Sequence, residues 1–286
     1  MTRRTVVITG ASTGIGEACA LHFDREGWQV FAGVRREEDG LRLAAQAGAR
    51  FRWVLLDVTD GAGVATAADA VREAVGDGGL HGLVNNAGIA IGGPLEYLPL
   101  EQLRRQFEVN VFGLVGVTQA FLPLLRHGRG RIVNVGSIAG LVTSPMVAPY
   151  CASKHAVEAL TDGLRLELAP WGLHVAVIEP GVVVTPIWDK GLREMNAAMG
   201  AMPPEALERY DSLIRGFRRI LAGAARRGVP AAAVVRAVEH ALTAPRPKTR
   251  YLIGRDARLR LLAQRILPRR WMDRLVWRVI RSAAGS

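Results

Sequence analysis

Tyr150 and Lys154 stand four residues apart in the run Y-C-A-S-K, and Ser137 lies thirteen residues ahead of the tyrosine. If the chain is helical from about Ala148, the phenol and the ammonium share one face and meet across a turn. A phenol beside an ammonium gives up its proton more easily than the free group, whose pKa is about 10. The chemistry on offer is proton transfer near neutrality, with the Ser137 hydroxyl hydrogen-bonding a substrate oxygen. The same spacing fits an ordinary helix with a surface lysine and a half-buried tyrosine, because so short a pattern recurs by chance. What surrounds these residues decides between the two.

The surroundings read as alternating strands and helices. Residues 5–9, T-V-V-I-T, form a short β-branched run that suits a buried strand. It leads into G-A-S-T-G-I-G and then a helical pattern, which puts Gly10, Gly14 and Gly16 at a strand-to-helix turn. Missing side chains there let the backbone turn sharply and approach a pyrophosphate at the helix N-terminus. A second strand, 29–34, ends in Arg35-Arg36 and not in an acidic residue. An acid there would accept bonds from an adenosine ribose, whereas arginine suits a 2′-phosphate; the alternative is two arginines opening the next helix in solvent. A third strand, 51–56, leads to Asp57, which caps a turn or touches an adenine, and then to a helix over 60–75.

A fourth strand from Gly82 ends in Asn85, Asn86, Ala87 and Gly88. Paired asparagines satisfy turn backbone and can serve a cofactor at the same time. Helical periodicity over 103–125 carries Asn110 among Val109, Val111 and Phe112, where a buried amide needs an internal partner. A fifth strand ends immediately before Ser137, the helix after Pro149 runs to Leu168, and a sixth strand, 174–178, ends in Glu-Pro-Gly. Six strand–helix repeats predict an α/β fold with a doubly wound parallel sheet. Ligands of such sheets lie beyond the carboxyl ends of the strands, where Gly10, Asn86, Ser137 and Pro180-Gly181 all fall. One crevice can therefore collect them.

Residues 185–228 form a helical insertion with Met195, Met199 and Met202, bounded by prolines. It is either a lid with an apolar, adaptable underside or a pair of packing helices. A seventh, edge strand begins at Arg250, and two basic amphipathic stretches follow on either side of Pro268. These suit a membrane-surface helix, a helix docked on its own domain, or one docked on a partner subunit.

Composition narrows the class. With 286 residues, 49% apolar and 22% charged, the chain matches a globular protein able to bury a large core. Two cysteines, Cys19 and Cys151, argue against a disulfide framework and for a reducing compartment. The strand pattern starts within five residues, leaving no room for a secretory signal, and no run of eighteen apolar residues predicts a spanning helix. The net charge of +11 is uneven: from Arg246 onward twelve Arg or Lys face two Asp, a net of +10. A nucleic-acid protein would spread such charge over a face with interleaved aromatics, so none is expected as a partner.

Assembled in order, the motifs resemble those of the short-chain dehydrogenase/reductase family. They are T-G-A-S-T-G-I-G at 9–16, L-D-V-T at 56–59, N-N-A-G at 85–88, N-V-F-G at 110–113, Ser137, Y-C-A-S-K at 150–154 and P-G-V-V-V-T at 180–185. The resemblance implies a Rossmann-type sheet of about seven strands and an NAD(P)-dependent oxidoreductase. It casts Tyr150 as general acid/base, Lys154 as holder of the nicotinamide ribose, Ser137 as orienter of the substrate oxygen and Asn110 as helix-bender and water holder in a proton relay. Gly10, Gly14 and Gly16, with Ser12, Thr13 and Ile15, would cradle the pyrophosphate. Asp57 and Val58 would flank the adenine, and Asn86, with Ala87 and Gly88, the adjacent ribose. Pro180, Gly181, Val183 and Thr185 would hold the carboxamide end.

Val34 stands where NAD-preferring members carry an acid, and Arg35 follows, which implies NADP(H) as the preferred cofactor with NAD(H) also admitted. Ser12-Thr13 replace the basic glycine-loop residue of many NADP-dependent forms. The run R-Y-L-I-G-R-D-A at 250–257 resembles the retinol and hydroxysteroid dehydrogenase branch and implies a small lipophilic alcohol or ketone. The expectation is thus one catalytic domain, 1–255, with a lid over 185–228 and a basic tail, 256–286. It would be a cytoplasmic homodimer or homotetramer, with or without membrane-surface contact through the tail. The competing readings are a dinucleotide-binding sensor or scaffold and a peripheral membrane or nucleic-acid binder. No metal site is expected.

Overall fold

The computed structural model describes residues 4–200 and 202–285. Its strands are β1 Thr5–Ile8, β2 Gln29–Val34, β3 Arg52–Leu55, β4 Gly82–Asn85, β5 Arg131–Val135, β6 His174–Pro180 and β7 Arg250–Ile253. They form one parallel sheet in the order β3-β2-β1-β4-β5-β6-β7. The order reverses between β1 and β4, so the loops after these strands diverge and leave a crevice at their carboxyl ends.

Side chains alternate across the sheet and build two cores. Val6, Ile8, Val30 and Ala32 pack under α1 Gly14–Arg25, α2 Glu37–Ala44 and α9 Ala231–Thr243. Val7, Phe31, Leu83 and Ile132 pack on the opposite face, under α3 Gly61–Val75, α5 Gly113–His127 and α6 Ala148–Leu168. Both faces are covered, which is why the strands read as continuous apolar runs and not as alternations.

The expected helix over 103–125 is longer and interrupted. It starts as α4 Leu100–Phe107, widens into a π turn over Glu108–Phe112 where the Gly113 amide reaches back to the Glu108 carbonyl, and resumes as α5. Buried Asn110 sits in that turn and pulls it inward, an effect of tertiary contacts that periodicity does not show. Leu100–His127 is also long and apolar enough to cross a membrane by length and composition, contrary to the expectation of no such segment. Half of its most apolar window is buried inside the fold, which marks it as a core helix.

After β6 come α7 Ile187–Gly200 and α8 Pro204–Arg227. Met195 and Met199 are buried with Ile214 and with Met146 of the loop before Tyr150, so these methionines pin the insertion to that loop. The tail forms α10 Arg255–Ile266 and α11 Arg269–Gly285, broken at Pro268 as expected.

Candidate active site

The strand ends meet in one cleft. Gly10, Ser12, Thr13, Gly14, Ile15, Arg35, Asp57, Val58, Asn86, Ala87, Gly88, Ser137, Tyr150, Lys154, Pro180, Gly181, Val183 and Thr185 all line it. Gly16 and Asn110 do not; both stand behind its wall. Gly10 and Gly14 have φ of +63° and +64°, a left-handed conformation that costs other residues. Gly16 serves by close approach instead: a Cβ there would overlap the Gly10 carbonyl and lie 2.5 Å from Asn86 Nδ2. Asn86 Nδ2 donates to the carbonyls of Thr9 and Gly10 at 3.0 and 3.1 Å, and Thr9 Oγ1 accepts from the Asn86 and Ala87 amides. Asn86 thus holds the glycine turn in shape from the side while lining the cleft.

At the other end of the crevice, Ser137 caps a 3-10 turn, its Oγ accepting from the Ala139 amide at 3.1 Å and hydrogen-bonding the buried Tyr150 phenol. Lys154 Nζ lies 5.9 Å from the Tyr150 ring centre and donates to the Val135 carbonyl at 2.7 Å. The one-face geometry expected for the pair is present. The expected electrostatic outcome is not. Burial pushes Tyr150 up to about 12, against a smaller downward pull from the Ser137 hydrogen bond. Burial likewise pulls Lys154 down to about 8, with the Glu158 carboxylate opposing it. Desolvation of both groups therefore overrides the stabilisation of a tyrosinate by its neighbour, and the phenol keeps its proton at neutral pH.

Asn110 has the internal partners its burial demands. Its Oδ1 accepts from the Ile89 amide at 2.9 Å, and its Nδ2 donates to the Ile89 carbonyl and to Ser153 Oγ, each at 3.0 Å. Ser153 in turn donates to the Tyr150 carbonyl at 2.8 Å, so Asn110 ties the loop after β4 to the helix that carries the tyrosine.

Arg35 is exposed at the end of β2, lines the cleft, and has no hydrogen bond or ion pair among the described residues. Arg36 is engaged with Asp39 at 3.0 Å. Asp57 caps the turn, its Oδ1 accepting from the Thr59 amide and hydroxyl at 3.0 and 2.8 Å, and it also faces the cleft. The turn-capping alternative left open for it is met, and its place on the cleft wall is where the proposed adenine contact would fall. Sequence reasoning missed Trp188 and Lys190, which line the cleft from the first turn of α7. Trp188 Nε1 donates to the Val183 carbonyl at 3.1 Å. The signal was the run T-P-I-W, an aromatic side chain too close behind the strand-six turn to leave the crevice.

Beneath Lys154, one helical turn on, Glu158 is buried against Glu179 of β6. Arg250 of β7 binds Glu158, Glu179 (2.6 Å) and Asp162 (2.6 Å) together. Burial, and next the Glu179 charge, push Glu158 up to about 8.

A turn of positive-φ glycines at a helix N-terminus, a close-packed third glycine, and an unpaired cation at the end of β2 fit a dinucleotide with its pyrophosphate at the turn. Fold and cleft together define an oxidoreductase with an NAD(P)-binding Rossmann-type sheet. The family model for short chain dehydrogenase matches residues 4–196, and the chain belongs to that family. It is 36% identical over 280 residues to the NADPH-dependent 3-dehydrocapnine reductase of Ornithobacterium rhinotracheale, covering 96% of each chain. It is 39% identical over 287 residues to Retinol dehydrogenase 5 of Mus musculus, covering 97% of this chain and 89% of the other, which places it near the retinol dehydrogenases. Among solved structures, it superposes on a short chain dehydrogenase/reductase from Burkholderia phymatum in complex with NAD. That match has a TM-score of 0.76 and 31% identity, and covers 92% and 95% of the two chains.

Proposed function

We propose that this enzyme interconverts a lipophilic secondary alcohol and its ketone, prefers NADP(H) while admitting NAD(H), and uses Tyr150 as general acid/base. The nicotinamide supplies or accepts the hydride. The observation that carries the reading is the Tyr150 hydroxyl, buried on the cleft wall, bonded to Ser137 and adjacent to Lys154. Ser137 orients the substrate oxygen. Tyr150, held protonated by burial, donates its proton to that oxygen as it becomes an alcohol and takes it back in the reverse direction. Lys154, lowered to about 8 and so still mostly charged at neutrality, replenishes the proton and holds the ribose. Asn110 acts through Ser153 and the backbone of the Tyr150 helix as a positioning residue, and holds a relay water there.

Arg35 is assigned to the 2′-phosphate, Gly10 to Gly16 to the pyrophosphate, Asp57 and Val58 to the adenine, Asn86 to its ribose, and Val183 and Thr185 to the carboxamide. The NADPH dependence named for the Ornithobacterium reductase and the retinol named for the mouse dehydrogenase support the cofactor and the lipophilic substrate class. The two buried free thiols suit a cytoplasmic setting, and the exposed basic tail suits a membrane-peripheral one. The homodimer or homotetramer and the single domain with lid and tail belong to the same reading, and light scattering reads the oligomer.

Tyr150→Phe is the direct test. We expect NADPH binding within about twofold of wild type and turnover of a steroid, retinoid or medium-chain ketone panel reduced by at least about a hundredfold. Retained turnover would overturn the assignment.

A further inference from the structure

Both tail helices already use one face. On α10, Ala257 is fully buried and Leu261 packs with Ile138 and Val142, just beyond Ser137. Arg260 Nη2 donates to Ser144 Oγ at 2.6 Å and Gln264 Nε2 to the Leu141 carbonyl at 2.9 Å. On α11, Ile280 is buried against α8, with its carbonyl so close to Gly216 that a Cβ there would lie 2.5 Å away. Arg219 Nη1 of α8 donates to the Ala283 carbonyl at 2.7 Å. The tail is therefore docked on its own domain, α10 on the loop after Ser137 and α11 on the insertion helix α8.

The opposite faces have no partner to match their composition. Leu259, Leu262 and Ile266 of α10 fall at i, i+3 and i+7, one outward stripe, and all are more than half exposed. On α11, Trp271 and Leu275 lie across the helix from buried Ile280 and are exposed, and Trp277 and Val279 are exposed on its flanks. Exposed arginines flank them, among them Arg258, Arg265, Arg274, Arg278 and Arg281, against two acids in the whole tail, Asp256 and Asp273. Asp256 is spent on the turn at Gly181 and Val182. Leucine, isoleucine and tryptophan side chains this exposed carry a solvation cost that a monomer in water does not recover.

We propose that this outer face is where the enzyme lies on an anionic lipid bilayer, with its arginines at the lipid phosphates and its apolar side chains in the acyl boundary. Charge and apolarity together select that occupant. A second copy would bring a face of the same strong positive charge, and a nucleic acid would leave the leucine stripe in water. Interfacial helices combine these two features, and arginine stems extend toward phosphate while their methylenes stay on apolar surface. Because α10 packs on the loop just beyond Ser137, a docked enzyme takes its lipophilic substrate directly from the membrane. That last clause rests on the proposed alcohol–ketone chemistry; the docking itself does not.

Sedimentation with vesicles tests it on the full chain. Phosphatidylcholine vesicles containing phosphatidylglycerol should bring the wild type down, pure phosphatidylcholine should not, and tryptophan emission should shift to the blue on binding. Arg274→Glu/Arg278→Glu/Arg281→Glu should weaken binding about tenfold or more, and Trp271→Ser/Trp277→Ser should remove the emission shift. NADPH binding and thermal midpoint, unchanged in both variants, report that the fold is intact. Wild-type protein left in the supernatant with anionic vesicles overturns the proposal, as does equal binding by the charge-reversed variant. Self-association or DNA binding lost in these variants, without vesicle binding, would assign the face to those occupants instead. Vesicle binding by a protein inactive on every ketone tested would sustain the docking and remove only the chemistry.

Discussion

Desolvation decides the state of the central pair. Lys154 Nζ lies 5.9 Å from the Tyr150 ring centre, yet burial moves the phenol to about 12 and the ammonium to about 8. A site poised this way starts as a proton donor, the form that ketone reduction requires. Arg35 is the residue proposed to set cofactor choice, because Arg36 is held by Asp39 while Arg35 lines the cleft with no partner among the described residues. Arg35→Ala is expected to lower kcat/KM for NADPH by about tenfold or more, the loss of one charge-assisted phosphate bond, and to leave NADH nearly unchanged. Equal kcat/KM for both cofactors in both proteins would refute a phosphate site there. Asn110 holds three groups at once, so Asn110→Leu strands the half-buried Ile89 amide and carbonyl and the buried Ser153 hydroxyl. Urea unfolding should show about 2–4 kcal/mol lost, with turnover falling as well.

Among the elements, the joint of α6, β6 and β7 matters most to the site, because it sits directly beneath Lys154. Arg250 reaches from the edge strand β7 to Glu158, Asp162 and Glu179, binding a short outer strand to the helix that carries Tyr150 and Lys154. Arg250→Ala leaves two buried carboxyl groups without their cation. The expected loss is about 2–3 kcal/mol, below the ~3–5 of a fully buried pair because 36% of Arg250 is exposed. Urea unfolding should show a larger loss at pH 8.5 than at pH 6, since Glu158 is protonated at the lower value. The π turn within the helix from Leu100 to His127 plays a comparable part on the other side, lodging Asn110 between the loop after β4 and α6.

At the scale of the whole molecule, the buried groups set how stability follows pH. Glu158 is raised from 4.5 to about 8, so between those values the fold keeps a proton that the unfolded chain has released. Its contribution is fully present at the acid end and is lost as pH rises through the window. Lys154 is lowered from 10.5 to about 8, so between about 8 and 10.5 the unfolded chain holds the extra proton and stability recovers as pH rises. The thermal midpoint should therefore decline from pH 5.5 to 8. Above that the Lys154 gain is opposed by the Cys19 thiol, which burial raises from 9.0 to about 12, so no full recovery is expected by about pH 9.5. Glu158→Gln should flatten the acid-side decline. A wild-type midpoint that rises from pH 5.5 to 8 would contradict this linkage.

The sequence by itself determined the order of elements, the parallel sheet and most of the lining of the cleft. Apolar β-branched runs, glycines at a strand-to-helix turn and helical spacing are local features, and of the residues named from them all but Gly16 and Asn110, which stand behind the wall, line the cleft. Only the tertiary structure decided what those residues experience. The protonation of Tyr150 depends on how much water is excluded by chain segments distant in sequence, and the sign of that effect opposed the local expectation. The Glu158–Glu179–Arg250 cluster joins residues up to 92 positions apart, so no spacing announces it. Trp188 and Lys190 belong to the cleft because α7 starts over it, and the methionines of the insertion turn out to be packing residues against Met146. The tail, readable as basic and amphipathic, needed the fold to show which of its faces was already taken.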